Sequence, residues 1–200
     1  MVCALAGCHI AIQHTNRKGQ TYYLHQQRSK TGAFSYHFAM KAGGVVEEIP
    51  EGYEIHENVH GQVFLRRKKA KQISDEEMAM LRDVLDRQPH RPIYQLEEKG
   101  AVVTVYQAED PWVGGHDIMD YHLRLQTPDE RRRRIVARAN YTAMMRFTLT
   151  GSNPRRFGIE RYCFRGSVER WIYLAGPDRL AALAEKYLPH LGRDSIFELF

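Results

Sequence analysis

"AFSYHFAMK", residues 33–41, decides what kind of protein this is. Phe34, Tyr36, Phe38 and Met40 fall on one side, and Ala33, Ser35, His37 and Ala39 on the other. An alternation of period two is the mark of a half-buried strand, because successive side chains of extended backbone point to opposite faces. Immediately before it, "TYYLHQQR" and the turn cluster "SKTG" read as the first arm and loop of a hairpin. After it, "IPEG", with Pro50 fixing φ and Gly52 closing, suits a type I turn. "YEIHE" and "QVFLRR", joined across Asn58 to Gly61, read as a second hairpin. Four short strands with aromatic inward faces predict a small sheet or open barrel.

The pattern then changes period. Ser74 with Glu77 three residues on is a capping box, and Met78, Leu81 and Leu85 repeat at helical spacing until Pro89 and Pro92 end the helix. "IYQLEEKGAVVTVYQ" reads as a hairpin turning at Lys99-Gly100, and "YHLRLQ" alternates as a strand. "MMRFTLT", a "GSNPRR" turn, "FGIERYCF" and "RWIYL" add further strands. Leu180, Leu183, Ala184 and Tyr187 form one helical stripe, stopped by Pro189 and Gly192. The apolar ending "SIFELF" is expected to dock on the body. The fold class expected is α+β with mainly antiparallel sheets, an N-terminal β-meander followed by a mixed α+β region with about three helices. Residues 1–16 read as a flexible tail, 17–71 as the β-meander module and 72–200 as the α+β domain, with the KKAKQ segment as the seam; packing as a single domain is compatible with this division.

Composition narrows the function classes. Of 200 residues, 43% are hydrophobic and 26% charged, with aromatics throughout, which sets disorder aside. No apolar run nears the roughly 18 residues a membrane span requires. Three cysteines are no disulfide framework and point to a reducing, cytoplasmic setting for a soluble protein. "LAGC" at residues 5–8 resembles a lipoprotein cleavage signal but lacks a basic region before it. Charge is zoned. Residues 17–41 carry five bases and no acid, 45–60 five glutamates and no base, and 66–71 five bases; residues 124–170 hold twelve arginines against four acids.

The densest of these zones is "TPDERRRRIVARANY", residues 127–141. Thr127 caps, Pro128 suits the first helical position and Glu130 completes a second capping box, so this is the third expected helix. Asp129 with Arg133, and Glu130 with Arg134, stand four apart and suit a solvated face. Arg131 and Arg132 have no such acid, and their charge opposes the helix dipole unless an anion sits there. Arginine forks grip phosphate in bidentate fashion. Arg131, Arg132, Arg134, Arg138, Arg155 and Arg156 are therefore the candidate nucleic-acid contacts, beside an aromatic sheet that would serve as a platform for single strands.

Two weaker constellations remain. "GGHDIMDYH" sets His116, Asp117, Asp120 and His122 within seven residues, the ligand types of a metal-dependent hydrolase, though at no known ligand spacing. His25, His37, His56 and His60 all fall in the first sheet, with His25 and His37 expected opposite each other across the hairpin and His56 on the same face. They read chiefly as exposed residues of the polar face. No nucleophile elbow, phosphate loop, dinucleotide-binding glycine pattern or C-x-x-C pair occurs, and no cofactor is expected. The sequence thus points to a binding protein without catalysis of its own, with nucleic acid as partner. The alternatives are a protein–protein interaction subunit of a larger assembly and a small metal-dependent hydrolase centred on His116 to His122.

Overall fold

The computed structural model describes residues 11–30, 32–42, 46–88, 94–109, 127, 136–137, 139–165 and 168–199. The chain divides into two compact units, Met1–Lys68 and Lys69–Phe200.

In the first unit β1 (Gln13–Thr15), β2 (Thr21–Arg28) and β3 (Phe34–Ala39) form an antiparallel sheet in the order β1-β2-β3, and β4 (Tyr53–Glu57) pairs with β5 (Val63–Arg67) in a second sheet. The two expected hairpins form, but as two sheets rather than one. Residues 13–16, assigned to the tail from sequence, are strand and turn, because Gln13, His14 and Thr15 pair with Tyr23, Tyr22 and Thr21.

Two turns of identical sequence pattern close the β1–β2 and β4–β5 hairpins: Asn16-Arg17-Lys18-Gly19-Gln20 and Asn58-Val59-His60-Gly61-Gln62. In each, the asparagine Oδ1 accepts from the backbone N–H two and four residues on, at 2.9–3.0 Å. Its Nδ2 donates to the glutamine Oε1, and the glycine sits at φ +75. The short asparagine side chain mimics a turn of backbone, and the glycine takes a left-handed conformation that a side chain would strain. The first turn is also locked to the second. Asn16, 3% exposed, donates from Nδ2 to the Gly61 carbonyl at 2.7 Å, and Glu57 accepts from the Arg17 amide at 2.9 Å while meeting His14 Nε2 at 3.0 Å.

Leu24, fully buried, is central to this unit, and Val59 and Val63 join its core. The aromatic face of β3 is only partly inward. Phe38 and Tyr36 are half-buried, whereas Phe34 is 59% and Met40 62% exposed. A unit this small has too little chain to cover both ends of a six-residue strand.

In the second unit β6 (Tyr94–Lys99), β7 (Val102–Ala108), β8 (Tyr141–Ser152), β9 (Arg155–Arg165) and β10 (Val168–Asp178) form one antiparallel meander in the order β10-β9-β8-β7-β6. Two α-helices stand among the described residues, α1 (Asp75–Asp86) and α2 (Leu180–Tyr187), where about three were expected. The third falls on residues 127–141, most of which lie outside the described ones, as does the strand expected at "YHLRLQ"; Val136 and Ala137 are helical.

Alternation divides the sheet into two faces. Val103, Val105, Met145, Phe147, Phe157 and Ile159 are buried against Met78, Leu81, Val84 and Leu85 of α1 and Leu180, Leu183, Ala184 and Tyr187 of α2. Removing a side chain such as Leu81 from this layer costs about 2–5 kcal/mol. The capping box starts α1 as expected: Glu77 N–H donates to Ser74 Oγ at 3.2 Å and Ser74 N–H to Glu77 Oε2 at 2.9 Å. The chain end docks through Ile196 and Leu199, with Phe197 left outside. Buried Arg161 donates from Nε to the Leu199 carbonyl at 2.9 Å.

Where β10 meets β9 the register shifts twice, between Tyr173 and Ala175 and again before Asp178. Gly176 lies in this irregular stretch at φ +126, and a Cβ there would stand 2.6 Å from the Phe157 carbonyl oxygen and 2.7 Å from Gly158 Cα. Both neighbours are backbone, so neither yields cheaply. Gly176→Ala is predicted to destabilise the second unit by about 2 kcal/mol or more through strain and displaced backbone. An unchanged urea midpoint would contradict this.

Candidate functional site

With one face of the five-stranded sheet committed to the core, the alternate residues go to the other. On β8, β9 and β10 these are Arg146, Thr148, Gly158, Glu160, Tyr162, Trp171 and Tyr173, which the register brings together: Arg146 opposite Glu160, Tyr162 opposite Trp171, Glu160 opposite Tyr173.

Arg146 is gripped on two sides. Its Nε and Nη2 donate to the two carboxylate oxygens of Glu160 at 2.5 and 3.0 Å, a bidentate fork. Its guanidinium carbon lies 4.4 Å from the centre of the Trp171 ring. Cation–π attraction at such a half-covered site is worth about 1 kcal/mol. Trp171 in turn meets Tyr162 edge to face, with centroids 5.1 Å apart and planes at 73°. Tyr173 lies two residues along β10 over Gly158, whose missing side chain makes room for the ring, and is 57% exposed. Its hydroxyl donates to the Gly176 carbonyl at 2.6 Å, which fixes the ring's direction.

The outcome is a preorganised patch in which Tyr162 stands edge-on to Trp171 and Arg146 lies over the Trp171 ring. Glu160 cancels most of the charge of Arg146, so the patch does not attract phosphate as a bare cation would. The Arg146 guanidinium has the Trp171 ring on one side at 4.4 Å, and 31% of its side chain is exposed. Planar, delocalised groups of this kind take flat aromatic ligands by stacking.

On β6 and β7 the same face carries Glu97 and Tyr106, whose hydroxyl donates to Glu97 Oε2 at 3.1 Å. Burial, followed by the adjacent Glu97 charge and that hydrogen bond, pushes the Tyr106 phenol up to about 12. Tyr94, opposite Gln107, is also pushed up to about 12 by burial, against the opposing effect of Arg193. Both phenols therefore stay protonated at neutral pH.

Of the six arginines singled out from the sequence, two lie among the described residues. Arg155, at the β8–β9 turn, donates from Nε and Nη2 to both oxygens of Glu77 at 2.6 and 2.7 Å, and from Nη2 to the Gln72 carbonyl at 2.8 Å. It pins the hairpin tip to the first turn of α1. Arg156 stands 3.6 Å from Asp178, both side chains well exposed, so this contact is loose. Arg131, Arg132, Arg134 and Arg138 lie outside the described residues, as do His116, Asp117, Asp120 and His122. Among the described residues no group of three metal-ligating side chains occurs. No helix there is long and apolar enough to cross a membrane.

The Arg146–Glu160–Trp171–Tyr162 cluster was not singled out as a site from sequence. A hairpin turning on Asn153-Pro154 without irregularity would set Arg146 against Arg161; the register shift between Leu149 and Gly151 brings Glu160 there instead, and no local pattern in the sequence announces that shift.

The grip on Glu77 has a consequence with pH. Burial acts to raise its carboxyl, but the Arg155 fork and the Ser74 amide outweigh burial and hold it below the ordinary 4.5. A depressed carboxyl stabilises fully above its unfolded value and loses that contribution as pH falls through the folded value. Glu77→Gln is therefore predicted to lower stability at pH 7 by roughly 1 kcal/mol, allowing for solvent screening. Its stability should also fall less steeply than the parent's between pH 5 and the acid transition. Parallel urea midpoints against pH would contradict this.

Comparison of the chain with protein-family models, with curated proteins and with solved structures found no match.

Proposed function

We propose that this is a binding protein without catalysis of its own, which takes single-stranded nucleic acid on the open face of its five-stranded sheet. The observation that carries the reading is the Arg146 guanidinium, gripped in a two-bond fork by Glu160 and backed by Trp171 at 4.4 Å, beside the exposed ring of Tyr173. Unstacked bases lie readily on aromatic rings and guanidinium planes, and each stacked base is worth about 1–3 kcal/mol. A base within a duplex presents no free face to such a patch, so single strands are preferred.

Stacking alone holds bases, not a backbone. The phosphates fall to the arginine run, Arg131, Arg132, Arg134 and Arg138, with the loosely paired Arg156. Arg155 is spent on Glu77 and is better understood as part of the scaffold. Bases and phosphates thus have separate receptors, and the two contributions respond differently to salt.

The test is fluorescence anisotropy of labelled mixed-sequence oligonucleotides, single-stranded and duplex, across salt concentrations. Saturable single-strand binding that weakens with salt is expected. Trp171→Ala should weaken it by about 5- to 150-fold with an unchanged salt slope, the equivalent of one base left unstacked. Arg131→Ala/Arg132→Ala should flatten the slope by about 0.7 for each phosphate no longer neutralised. Absence of binding at low salt, or binding indifferent to Trp171, would end the reading.

A further inference from the structure

The first unit carries a pair of groups that the sheet platform does not use. His25 on β2 and His37 on β3 are direct partners across the hairpin, and their rings lie with centroids 5.3 Å apart and planes within 17°. We propose that they form a two-imidazole site for a divalent transition ion, with copper(II) favoured and zinc(II) next.

Three observations converge. The first is separation. An ion sits about 2.0–2.1 Å from each ligating nitrogen, so the ring centres of two imidazoles sharing it are about 5 Å apart in a tetrahedral zinc(II) shell and about 4.5 Å apart at the right angle of a tetragonal copper(II) shell. The pair, at 5.3 Å, stands close to both distances; with the His25 ring kept on the Lys41 carbonyl, the His37 ring turns about χ2 to bring its nitrogen to the same ion.

The second is tautomer. His25 Nε2 lies 2.8 Å from the backbone carbonyl of Lys41. A carbonyl only accepts, so Nε2 carries the proton and Nδ1 keeps the lone pair. Donation from the far ring nitrogen to a carbonyl is the support that metal-bound histidines generally have, since it orients the ring and raises its basicity. His25 has this support in place.

The third is access. His37 is exposed, His25 is half-exposed, and the His37 ring makes no hydrogen bond among the described residues. Gln27 and Ser35, the next pair on that face, stand toward the hairpin loop, and Ser35 Oγ is directed to the Gln27 carbonyl. The Gln27 side-chain carbonyl, with water, is available to complete the coordination shell. Two imidazoles select by intrinsic affinity rather than by a closed cage, and the order of divalent ions places copper(II) highest.

The test uses the full chain and the metal ion alone. Ring resonances of the ten histidines are followed by nitrogen-edited NMR during addition of copper(II) chloride, whose paramagnetism broadens only nearby nuclei. The rings of His25 and His37 should broaden together at the lowest additions. In His37→Ala, broadening of His25 should require at least about tenfold more copper, and His116→Ala/His122→Ala should leave the pair's response unchanged. Both members of the pair are on the exposed face of a hairpin, and retention of the Leu24 methyl shifts confirms that the unit stays folded. Broadening of His25 that is indifferent to loss of His37, or a pair untouched while other histidines respond, would overturn the proposal.

Discussion

A five-stranded antiparallel sheet can bury only one face against two helices, and the second unit is organised by that limit. Val103, Val105, Met145, Phe147, Phe157 and Ile159 go to the helices, so the residues between them are turned to the opposite side by the pleat itself. Arg146, Glu160, Tyr162, Trp171 and Tyr173 share a surface for this reason, although they come from three different strands. The charge on Arg146 is tolerated there because Glu160 lies directly across the ladder and Trp171 is diagonal to it. A buried face and a structured polar face are thus two aspects of one alternation.

Holding the helices on the sheet takes interactions that run far along the chain. Arg155 at the β8–β9 tip reaches Glu77, which is at the same moment the N3 residue of the α1 capping box. One carboxylate therefore serves the helix start, the hairpin tip and, through the Gln72 carbonyl that Arg155 also touches, the segment leading into the helix. The first unit relies on a different device. Its two Asn-x-x-Gly-Gln turns bind their own ends, and Asn16 ties one turn to the other. Small sheets with little core are kept in register by turn chemistry of this sort.

How much of this was readable beforehand follows from the range of each interaction. The strands around Phe34–Ala39, the second hairpin, the Ser74–Glu77 box and the stripe of α2 rest on neighbours within a few residues, and period and caps reveal them. The His25–His37 pairing was likewise legible, because a short loop leaves little freedom of register. β1 was not, since three residues with no alternation become a strand only when β2 offers them hydrogen bonds. The role of Arg155 was read as a phosphate contact because its carboxylate partner is 78 residues away. The exposure of Phe34 and Met40 also escaped the pattern: alternation shows which residues share a face but not whether enough chain exists to cover it. The arginine run and the His116 to His122 cluster lie outside the described residues.

The central claim is that the helix-opposed face of the sheet is the working surface. Amide and indole shift mapping with an unlabelled single-stranded oligonucleotide tests it most directly. The account predicts that perturbations gather on Arg146, Tyr162, Trp171 and Tyr173 and leave the Leu81 and Leu183 layer still. Shifts confined to the first unit, or none on β8 to β10 at saturating oligonucleotide, would contradict it.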